Sequence, residues 1–353
     1  MSIIFAILLF SFLIFIHEFG HFIAAKLSGV QVNEFAMFMG PALVKWQRGE
    51  TQYSIRCIPI GGYCAMEGED EDTDNPRSFQ KAAWWKRLII LIAGSTMNFI
   101  AGILILFIVF APAQQFIVPQ IDSSEAACTV VREDGLHIGD IFLEVNGEKI
   151  YVQSDVTMFL SMNPGDHHDI VVERDGKKVT LEDFYMEKHM FDNGDGTQSE
   201  RYGFSFGLQD ATFGNKCSYV WNVTRNVLRS VRLSLQMLLS GQAGLSDVSG
   251  PVGIVQIMSD TAENSATTLD AILNMLYFGG FIAVNLAAMN MLPIPALDGG
   301  RVFFLVLTTG IEAVTKKKIN PKYEGYIHGA GMILLLILMA VVMFKDIFVI
   351  FKG

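Results

Sequence analysis

Charged residues are scarce in this chain. Asp, Glu, Lys and Arg make up only 18% of its 353 residues, whereas 51% are hydrophobic. Soluble domains carry about 25% charged residues, so this composition excludes an ordinary soluble protein and predicts a membrane protein with a soluble insert. An excess of positive charge is also lacking, because 26 basic residues stand against 36 acidic ones and the formal net charge is -10. That balance argues against nucleic acid as a partner.

Cysteine is sparse and shows no pattern. The four cysteines are Cys57, Cys64, Cys128 and Cys217. Their spacing fits neither a zinc cluster nor a disulfide framework, so most are interpreted as structural thiols, and a disulfide is neither required nor excluded. A cleaved signal peptide is not indicated, because the N-terminal apolar run lacks a basic leader and a small-residue cleavage site. We expect that run to be retained as a transmembrane helix.

Four apolar segments are long enough to cross a bilayer as helices, which takes about 17–25 residues each. They run from Ile3 to Ala25, from Leu88 to Pro112, from Ala271 to Ala296 and from Ile327 to Phe344, and the tail from Asp346 is expected to fray. Lys and Arg cluster in the loop between the first two segments and in the loop between the last two. By the positive-inside rule, both loops are cytoplasmic and both termini face the outside.

The region between the second and third segments is acidic from Asp122 to Asp210, which suits the outer side of the membrane. Asn146-Gly147 and Asp175-Gly176 are hairpin signals between apolar runs. A β-rich domain is therefore predicted over residues 113–210. A helix from Tyr219 to Leu239 follows, with an apolar stripe and an arginine face, and it either lies on the membrane surface or packs against that domain.

The first cytoplasmic loop has strand character. Residues Thr51–Ile58 alternate like a strand, Pro59 and Gly61-Gly62 indicate a turn, and Tyr63–Met66 fits a returning strand. The acidic run from Glu67 to Asp74 is interpreted as a solvated loop, because it lacks the ligand spacing of a cation site.

The most specific signal is the sequence H-E-F-G-H at residues 17–21, inside the first apolar segment. On a helix, His17 and His21 lie one turn apart on the same side, where two imidazoles can bind one Zn²⁺. Glu18 is then placed to take a proton from a metal-bound water. The alternative is a chance match on a buried helix, but ionisable groups at membrane depth are costly and usually functional. The motif predicts a hydrolytic zinc site within the bilayer, as in a protease that cuts membrane-embedded substrates.

A catalytic zinc site needs a third protein ligand. Asp298 is the only carboxylate between Ala271 and Gly300, and Pro293 and Pro295 must break the helix just before it. Backbone freed at membrane depth is tolerated only where protein or water surrounds it. Taken alone, Asp298 would be interpreted as a helix-end residue facing cytoplasmic water, but the two-histidine site needs a further ligand, and Asp298 is favoured for that role. Less favoured substitutes are Cys57, Cys64 and His328.

At these residues the chain resembles the site-2 protease family, in particular the bacterial regulator-of-sigma proteases with a PDZ domain, over most of its length. H-E-F-G-H matches the first zinc motif of that family, and residues 290–299 match its N-x-x-P-x-P-x-L-D-G motif. Together in membrane segments, these two motifs are a strong signal. Further matches are the β-loop at Gly61-Gly62-Tyr63, Ala93-Gly94 with Asn98-Phe99 in the second helix, a PDZ-like segment at 135–147, and residues 249–254.

The segments and the resemblance together predict a polytopic α-helical membrane protein. It would have about four transmembrane helices, a cytoplasmic-side membrane-reentrant β-hairpin and an extracytoplasmic β-rich PDZ-like domain. The predicted regions are 1–112 and 266–353 for the two halves of the membrane catalytic core, 113–210 for the PDZ-like domain, and 211–265 for an amphipathic helix and connector. The implied location is the plasma membrane of a bacterium.

The function implied by the resemblance is intramembrane zinc proteolysis of single-span membrane proteins, either anti-sigma factors or remnant signal peptides. Glu18 is the expected catalytic base. The expected zinc ligands are His17, His21 and Asp298. The residues expected to bind substrate are Asn290, Pro293, Pro295, Gly61 and Gly62.

Two other classes of function stay open at this point. A non-proteolytic scaffold whose PDZ-like domain binds protein tails would not need Glu18. A metal transporter would need an ion path, and the chain shows no inverted repeat of the transporter kind.

Overall fold

The computed structural model describes residues 2–69, 73–125, 128–163, 165–192, 197–242, 244, 250–316 and 322–352. Ser249, Lys317, Lys318 and residues 70–72 of the acidic run lie outside the described residues. In chain order, the elements are α1 (Ser2–Ser28), β1 (Val32–Arg48), β2 (Thr51–Met66), α2 (Trp84–Phe110), β3 (Gln115–Ser124), β4 (Ile141–Val145), β5 (Glu148–Lys149), α3 (Gln153–Met162), β6 (His167–Arg174), β7 (Lys177–Tyr185), β8 (His189–Asp192), β9 (Gln198–Arg201), β10 (Phe204–Asp210), α4 (Phe213–Leu239), α5 (Pro251–Glu263), α6 (Thr268–Asn290), α7 (Asp298–Thr315) and α8 (Lys322–Lys352).

Four of the described helices are long and apolar enough to cross a membrane. They are Ile4–Ser28, Trp84–Phe110, Thr268–Asn290 and Glu324–Asp346. The four predicted segments are thus confirmed, with two corrections. α6 ends at Asn290 rather than Ala296, because Pro293 and Pro295 disfavour helix at and before their own positions. α8 continues to Lys352 instead of fraying, since the residues after Asp346 are mostly apolar helix-compatible side chains.

The chain folds into two compact units, Met1–Val109 with Val227–Gly353, and Phe110–Asn226. In the first unit α1 is central. One buried cluster joins α1 to the β1–β2 sheet and α2, and it includes the fully buried Ala25, Val32 and Ile90. A second cluster joins α1 to α5 and α6 around Leu13 and Met258. α1 therefore has protein on two sides, which removes the residues of its H-E-F-G-H motif from full contact with lipid.

β1 and β2 form a long bent hairpin beside α1. Residues Val32–Met37 of β1 pair with Gly62–Met66 of β2 on one side and, from Glu34 onward, with Gln52–Ile55 on the other. Residues Ala42–Arg48 also pair with Thr51–Arg56. The prediction that Thr51–Met66 forms a hairpin with itself is therefore wrong, because both of its halves pair with β1. Phe38, Gly40 and Gly61 have positive φ angles of 72°, 84° and 79° and bend the hairpin at this point.

A polar cluster, here named the Glu34 clamp, consists of Glu34, Ser54, Arg56 and Tyr63. Arg56 donates a hydrogen bond of 2.7 Å to Glu34 Oε1 and another of 2.7 Å to the Gly40 carbonyl, and it also contacts the Tyr63 hydroxyl. Ser54 Oγ donates to Glu34 Oε1 at 2.7 Å. Partial burial acts to raise the pKa of Glu34, but the bonds from Ser54 and Arg56 outweigh it and lower the pKa to about 2. The clamp ties together arms of the hairpin that are distant in sequence.

The second unit is built mainly of antiparallel strands. One six-stranded sheet has the order β10-β3-β4-β6-β7, with β5 paired to β4, and β8 pairs with β9. The two hairpin signals are confirmed, because β4 pairs with β5 around Asn146-Gly147 and β6 pairs with β7 around Asp175-Gly176. All four turn residues have positive φ, as a type I′ turn requires.

Within the second unit, the start of α4 packs against residues of the β-rich region. The Tyr219 ring stacks on Phe116 with 4.1 Å between ring centroids, and the Arg225 guanidinium lies 4.1 Å from the Tyr151 ring centroid. The sequence left two interpretations of this helix, and packing against the β-rich domain is the one that holds for Tyr219 and Arg225.

α2 and α6 approach closely where both carry glycine. A Cβ added to Gly102 would lie 2.6 Å from Val284 Cγ2 and 3.1 Å from the Gly280 carbonyl oxygen. Small residues permit such backbone approach between membrane helices, where packing rather than hydrophobic burial drives association.

Gly102→Ala should therefore lower the thermal stability of the solubilised protein, because overpacking of this kind costs about 1–3 kcal/mol. Gly310→Ala in α7 is the matched control. A Cβ there meets open space, and alanine favours helix over glycine by about 1 kcal/mol, so the unfolding temperature should stay equal or rise. Equal unfolding temperatures for the two variants would contradict the close crossing.

The Glu34 clamp predicts an acid-sensitive hairpin. Because the folded pKa lies below the ordinary value of 4.5, ionised Glu34 contributes its full stabilisation above pH 4.5, and the contribution is lost as the pH falls towards about 2. Glu34→Gln should lower the unfolding temperature at neutral pH and flatten its decline between pH 4.5 and the acid limit of folding. Glu133→Gln, at an exposed position, is the control. Parallel pH curves for Glu34→Gln and wild type would refute the role given to the clamp.

Candidate active site

Three side chains from two distant parts of the chain converge at one point. His17 and His21 lie on α1, and Asp298 is the first residue of α7. His17 Nε2 lies 3.3 Å from His21 Nε2, and Asp298 Oδ2 lies 3.1 Å from His17 Nε2 and 3.4 Å from His21 Nε2. Within the described part of the chain, this is the one group of at least three His, Cys, Asp or Glu residues whose ligand atoms come so close.

The triangle of donor atoms has the size that zinc requires. In a tetrahedral site with bonds of about 2.0–2.1 Å, neighbouring donor atoms lie about 3.3 Å apart. The observed separations of 3.1–3.4 Å bracket that value. Asp298 Oδ2 is buried, and no hydrogen bond satisfies it among the described residues. A cation between the three donors would satisfy this oxygen, so the residues present fit a zinc ion.

Glu18 lies on α1, next to the part of the hairpin that begins at Gly62. A Cβ added to Gly62 would stand 3.4 Å from Glu18 Cγ and 3.6 Å from Ile14 Cγ2. Gly62 therefore lies next to the Glu18 side chain, and as a glycine it places no side chain of its own there. Gly61, just before it, has the positive φ noted above, which a residue with a side chain rarely adopts.

Asp298 is held by a tight connection between α6 and α7. Asn290 is the last residue of α6, and Pro293 and Pro295 lie in the connection that follows. This connection folds back on the first turn of α7 so closely that side chains are excluded there. A Cβ on Gly299 would collide with the Met291 carbonyl, and one on Gly300 with the Ile294 carbonyl.

α8 supports the same connection from another side. His328 Nδ1 accepts a hydrogen bond of 3.0 Å from the Ala296 amide, and Ala296 has a φ of 79°. A Cβ on Gly331 would lie 2.5 Å from Pro295 Cβ. His328, weighed from sequence as a substitute ligand, thus contacts the loop that carries Asp298. Neither it nor Cys57 or Cys64 belongs to the converging group.

α2 contacts both histidines, which sequence reasoning did not anticipate. His21 Nδ1 lies 2.8 Å from the Ile90 carbonyl oxygen, and His17 Nδ1 lies 3.4 Å from Asn98 Nδ2. A Cβ on Gly94 would collide with the His21 ring and lie 2.8 Å from His17 Cε1. The only signal in the sequence was the resemblance of Ala93-Gly94 and Asn98-Phe99 to a family motif, which carries no role by itself.

Comparison with known proteins places this geometry in a family. The family described as peptidase family M50 matches residues 5–338. A protein of Clostridium acetobutylicum with a provisional zinc metalloprotease name is 36% identical over 349 residues, which cover 98% of this chain and 97% of the relative. A similarly named protein of Clostridium perfringens is 35% identical over 351 residues, with 98% of each chain covered. The regulator of sigma-W protease RasP of Bacillus subtilis is 28% identical, again with 98% of each chain covered. The chain belongs to peptidase family M50, the site-2 proteases, and is a membrane-embedded zinc metalloprotease.

Proposed function

We propose that this protein hydrolyses peptide bonds within the transmembrane segments of single-span membrane proteins, of the anti-sigma-factor type or as remnant signal peptides. The observation that carries the proposal is the convergence of His17, His21 and Asp298 beside Glu18, with the histidines on a helix apolar enough to span a membrane. The name of the Bacillus relative, a regulator of sigma-W, favours the anti-sigma class. The scaffold and transporter alternatives are set aside because the family is one of peptidases.

His17, His21 and Asp298 would hold the zinc ion. When bound, zinc supplies Lewis-acid chemistry, since it acidifies a water and polarises the scissile carbonyl. Glu18 accepts the proton of the attacking water and then delivers it to the leaving amine, so that its carboxylate is regenerated in each cycle. Its side chain lies beside Gly62, which carries no side chain that would compete for this space.

The substrate would bind as an added strand. A carbonyl in an intact helix is occupied by the helix's own hydrogen bond, so the scissile segment must unwind. Residues Gly62–Met66 pair with Val32–Met37 on one side, and among the described strands none pairs with their other side. Gly62, at the start of this strand segment, lies next to the Glu18 side chain. An extended segment pairing there gains backbone hydrogen bonds without a sequence requirement.

Residues on the far side of the site have proposed substrate roles as well. Asn290 would hold the substrate backbone, and Pro293 and Pro295 would shape the broken segment. Support comes from their position, since all three lie at or just after the end of α6 and within eight positions of Asp298. Gly61 and Gly62 would admit the substrate from the hairpin side.

The β-rich residues 113–210 are proposed to form an extracytoplasmic PDZ-like domain, with both chain termini on the same side of the membrane. The two halves of the membrane core, 1–112 and 266–353, and the amphipathic helix with its connector, 211–265, are proposed with the bounds predicted from the sequence. We assign this domain a steric role, in which it excludes proteins with bulky ectodomains rather than selecting by affinity.

Glu18→Gln should fold and retain zinc but cleave about 10²–10⁴-fold more slowly, because the amide cannot accept the proton. Metal analysis and cleavage of a single-span substrate in detergent measure the two properties. Glu263→Gln, at an exposed α5 position, is the control and should match wild type. Near-normal turnover of Glu18→Gln would contradict its role as the base.

Asp298→Ala should lose zinc, and wild-type zinc affinity in that variant would assign the third ligand elsewhere.

A proline scan over Gly62, Tyr63, Cys64 and Ala65 tests strand addition. Successive backbone amides of a strand point alternately towards the paired neighbour and towards the open edge, and proline removes the amide hydrogen. Prolines at edge-facing positions should leave the unfolding temperature nearly unchanged and slow cleavage. Prolines at positions facing Val32–Met37 should destabilise the protein.

The control is a pair of prolines at Val44 and Lys45, on the arm paired with Thr51–Arg56. Of these two variants, the one with the higher unfolding temperature should cleave the substrate at the wild-type rate. Cleavage that falls at all four scanned positions only in proportion to stability would show that the edge does not bind substrate.

A further inference from the structure

α2 carries a group that determines which nitrogen of His21 bears hydrogen. His21 Nδ1 lies 2.8 Å from the Ile90 carbonyl oxygen, and His21 is buried. A carbonyl oxygen only accepts hydrogen bonds, so Nδ1 must donate. In the neutral ring Nε2 then keeps its lone pair, and this lone pair faces His17 Nε2 and Asp298 Oδ2 at 3.3 and 3.4 Å.

Asn98 holds the equivalent position for His17. It is only 1% exposed, its Nδ2 lies 3.4 Å from His17 Nδ1, and its Oδ1 is buried without a hydrogen-bond partner. With Nδ2 facing the ring, Nδ1 would have to accept, and the hydrogen would sit on Nε2, where it blocks a metal. Rotating the amide by 180° exchanges Oδ1 and Nδ2 with little change of shape. Oδ1 then accepts from Nδ1–H and gains the partner it lacks, while Nδ2 takes the buried position that Oδ1 held.

We propose that Asn98 is a positioning residue that, through Oδ1, holds His17 in the tautomer that presents Nε2 as a metal ligand, as the Ile90 carbonyl does for His21. The inference rests on the proposed ligand set. It makes α2, which supplies no ligand, the helix that orients both histidines.

The spacing along α2 supports this assignment. Ile90, Gly94 and Asn98 are each four residues apart and so lie on one face of the helix. Gly94, in the middle, is where the histidine rings pass, because a Cβ there would collide with the His21 ring. The two hydrogen-bonding groups therefore stand on either side of a gap that the rings fill. Partners of this kind are worth about 10–100-fold in metal affinity at other sites.

The experiment distinguishes the effect of a hydrogen-bond acceptor at position 98 from the effect of side-chain packing there. Asn98→Asp keeps the acceptor oxygen and loses the donor, whereas Asn98→Leu keeps the same branched arrangement of heavy atoms and has neither. Zinc affinity of the full-length protein in detergent is measured by competition with a chromophoric chelator, and the visible absorption of the Co²⁺-loaded protein reports the ligand geometry. Ser95→Ala is the control, since Ser95 is also buried on α2, at 3% exposure.

Asn98→Leu should bind zinc about 10–100-fold more weakly than wild type and show an altered Co²⁺ spectrum, while Asn98→Asp and Ser95→Ala should keep near wild-type affinity and spectrum. Wild-type affinity in Asn98→Leu, or equally weak binding in Asn98→Asp and Asn98→Leu, overturns the proposal. Unfolding temperatures of the metal-free variants identify any loss of fold. If Asn98→Leu does not fold, Asn98→Ala replaces it, and if neither folds, Asn98→Asp decides by keeping or losing affinity.

His17→Ala distinguishes this inference from the proposed function. Zinc retained in His17→Ala would contradict the ligand set itself. Zinc lost in His17→Ala together with full affinity in Asn98→Leu would overturn only the role of Asn98.

Discussion

The structure depends on holding two imidazole nitrogens and one carboxylate oxygen 3.1–3.4 Å apart in a membrane protein. Lone pairs at that distance repel, and ionisable groups at membrane depth are unfavourable unless they are paired or bind metal. Different neighbouring elements must therefore fix the position of each of these side chains. α1 gives the two histidines their common face, α2 orients their rings, and the α6–α7 connection brings in Asp298. No single element contains the site, although the most specific motif lies on one helix.

Close backbone approach is the means by which these elements meet. Gly62, Gly94, Gly299 and Gly300 each stand where a Cβ would touch or collide with a group of the site or of the loop that forms it. Glycine weakens helices, so its use on α2 and at the start of α7 sacrifices local helix stability for proximity. Gly102 serves the same purpose where α2 meets α6, farther from the histidines.

Much of this arrangement follows from the sequence. Charge-free runs predict the four membrane helices, H-E-F-G-H predicts the histidine pair, and the two prolines predict the broken segment before Asp298. The pairing of β1 was missed, because Gly40-Pro41 interrupts its alternation and local periodicity does not reveal a partner. α7 was missed because Arg301 and the lysines near residue 316 indicated a loop. The contacts of Asn98 were missed because one polar residue in an apolar helix shows nothing about what faces it.

The contacts between α8 and the α6–α7 connection have a consequence for biosynthesis. His17 and His21 emerge from the ribosome long before Asp298, and the loop that carries Asp298 rests on His328 and Gly331, which are made later still. A partly synthesised chain therefore contains the paired imidazoles and Glu18 without Asp298 or the support of its loop. Order along the chain thus delays the complete, supported form of the proposed zinc site until α8 has been made.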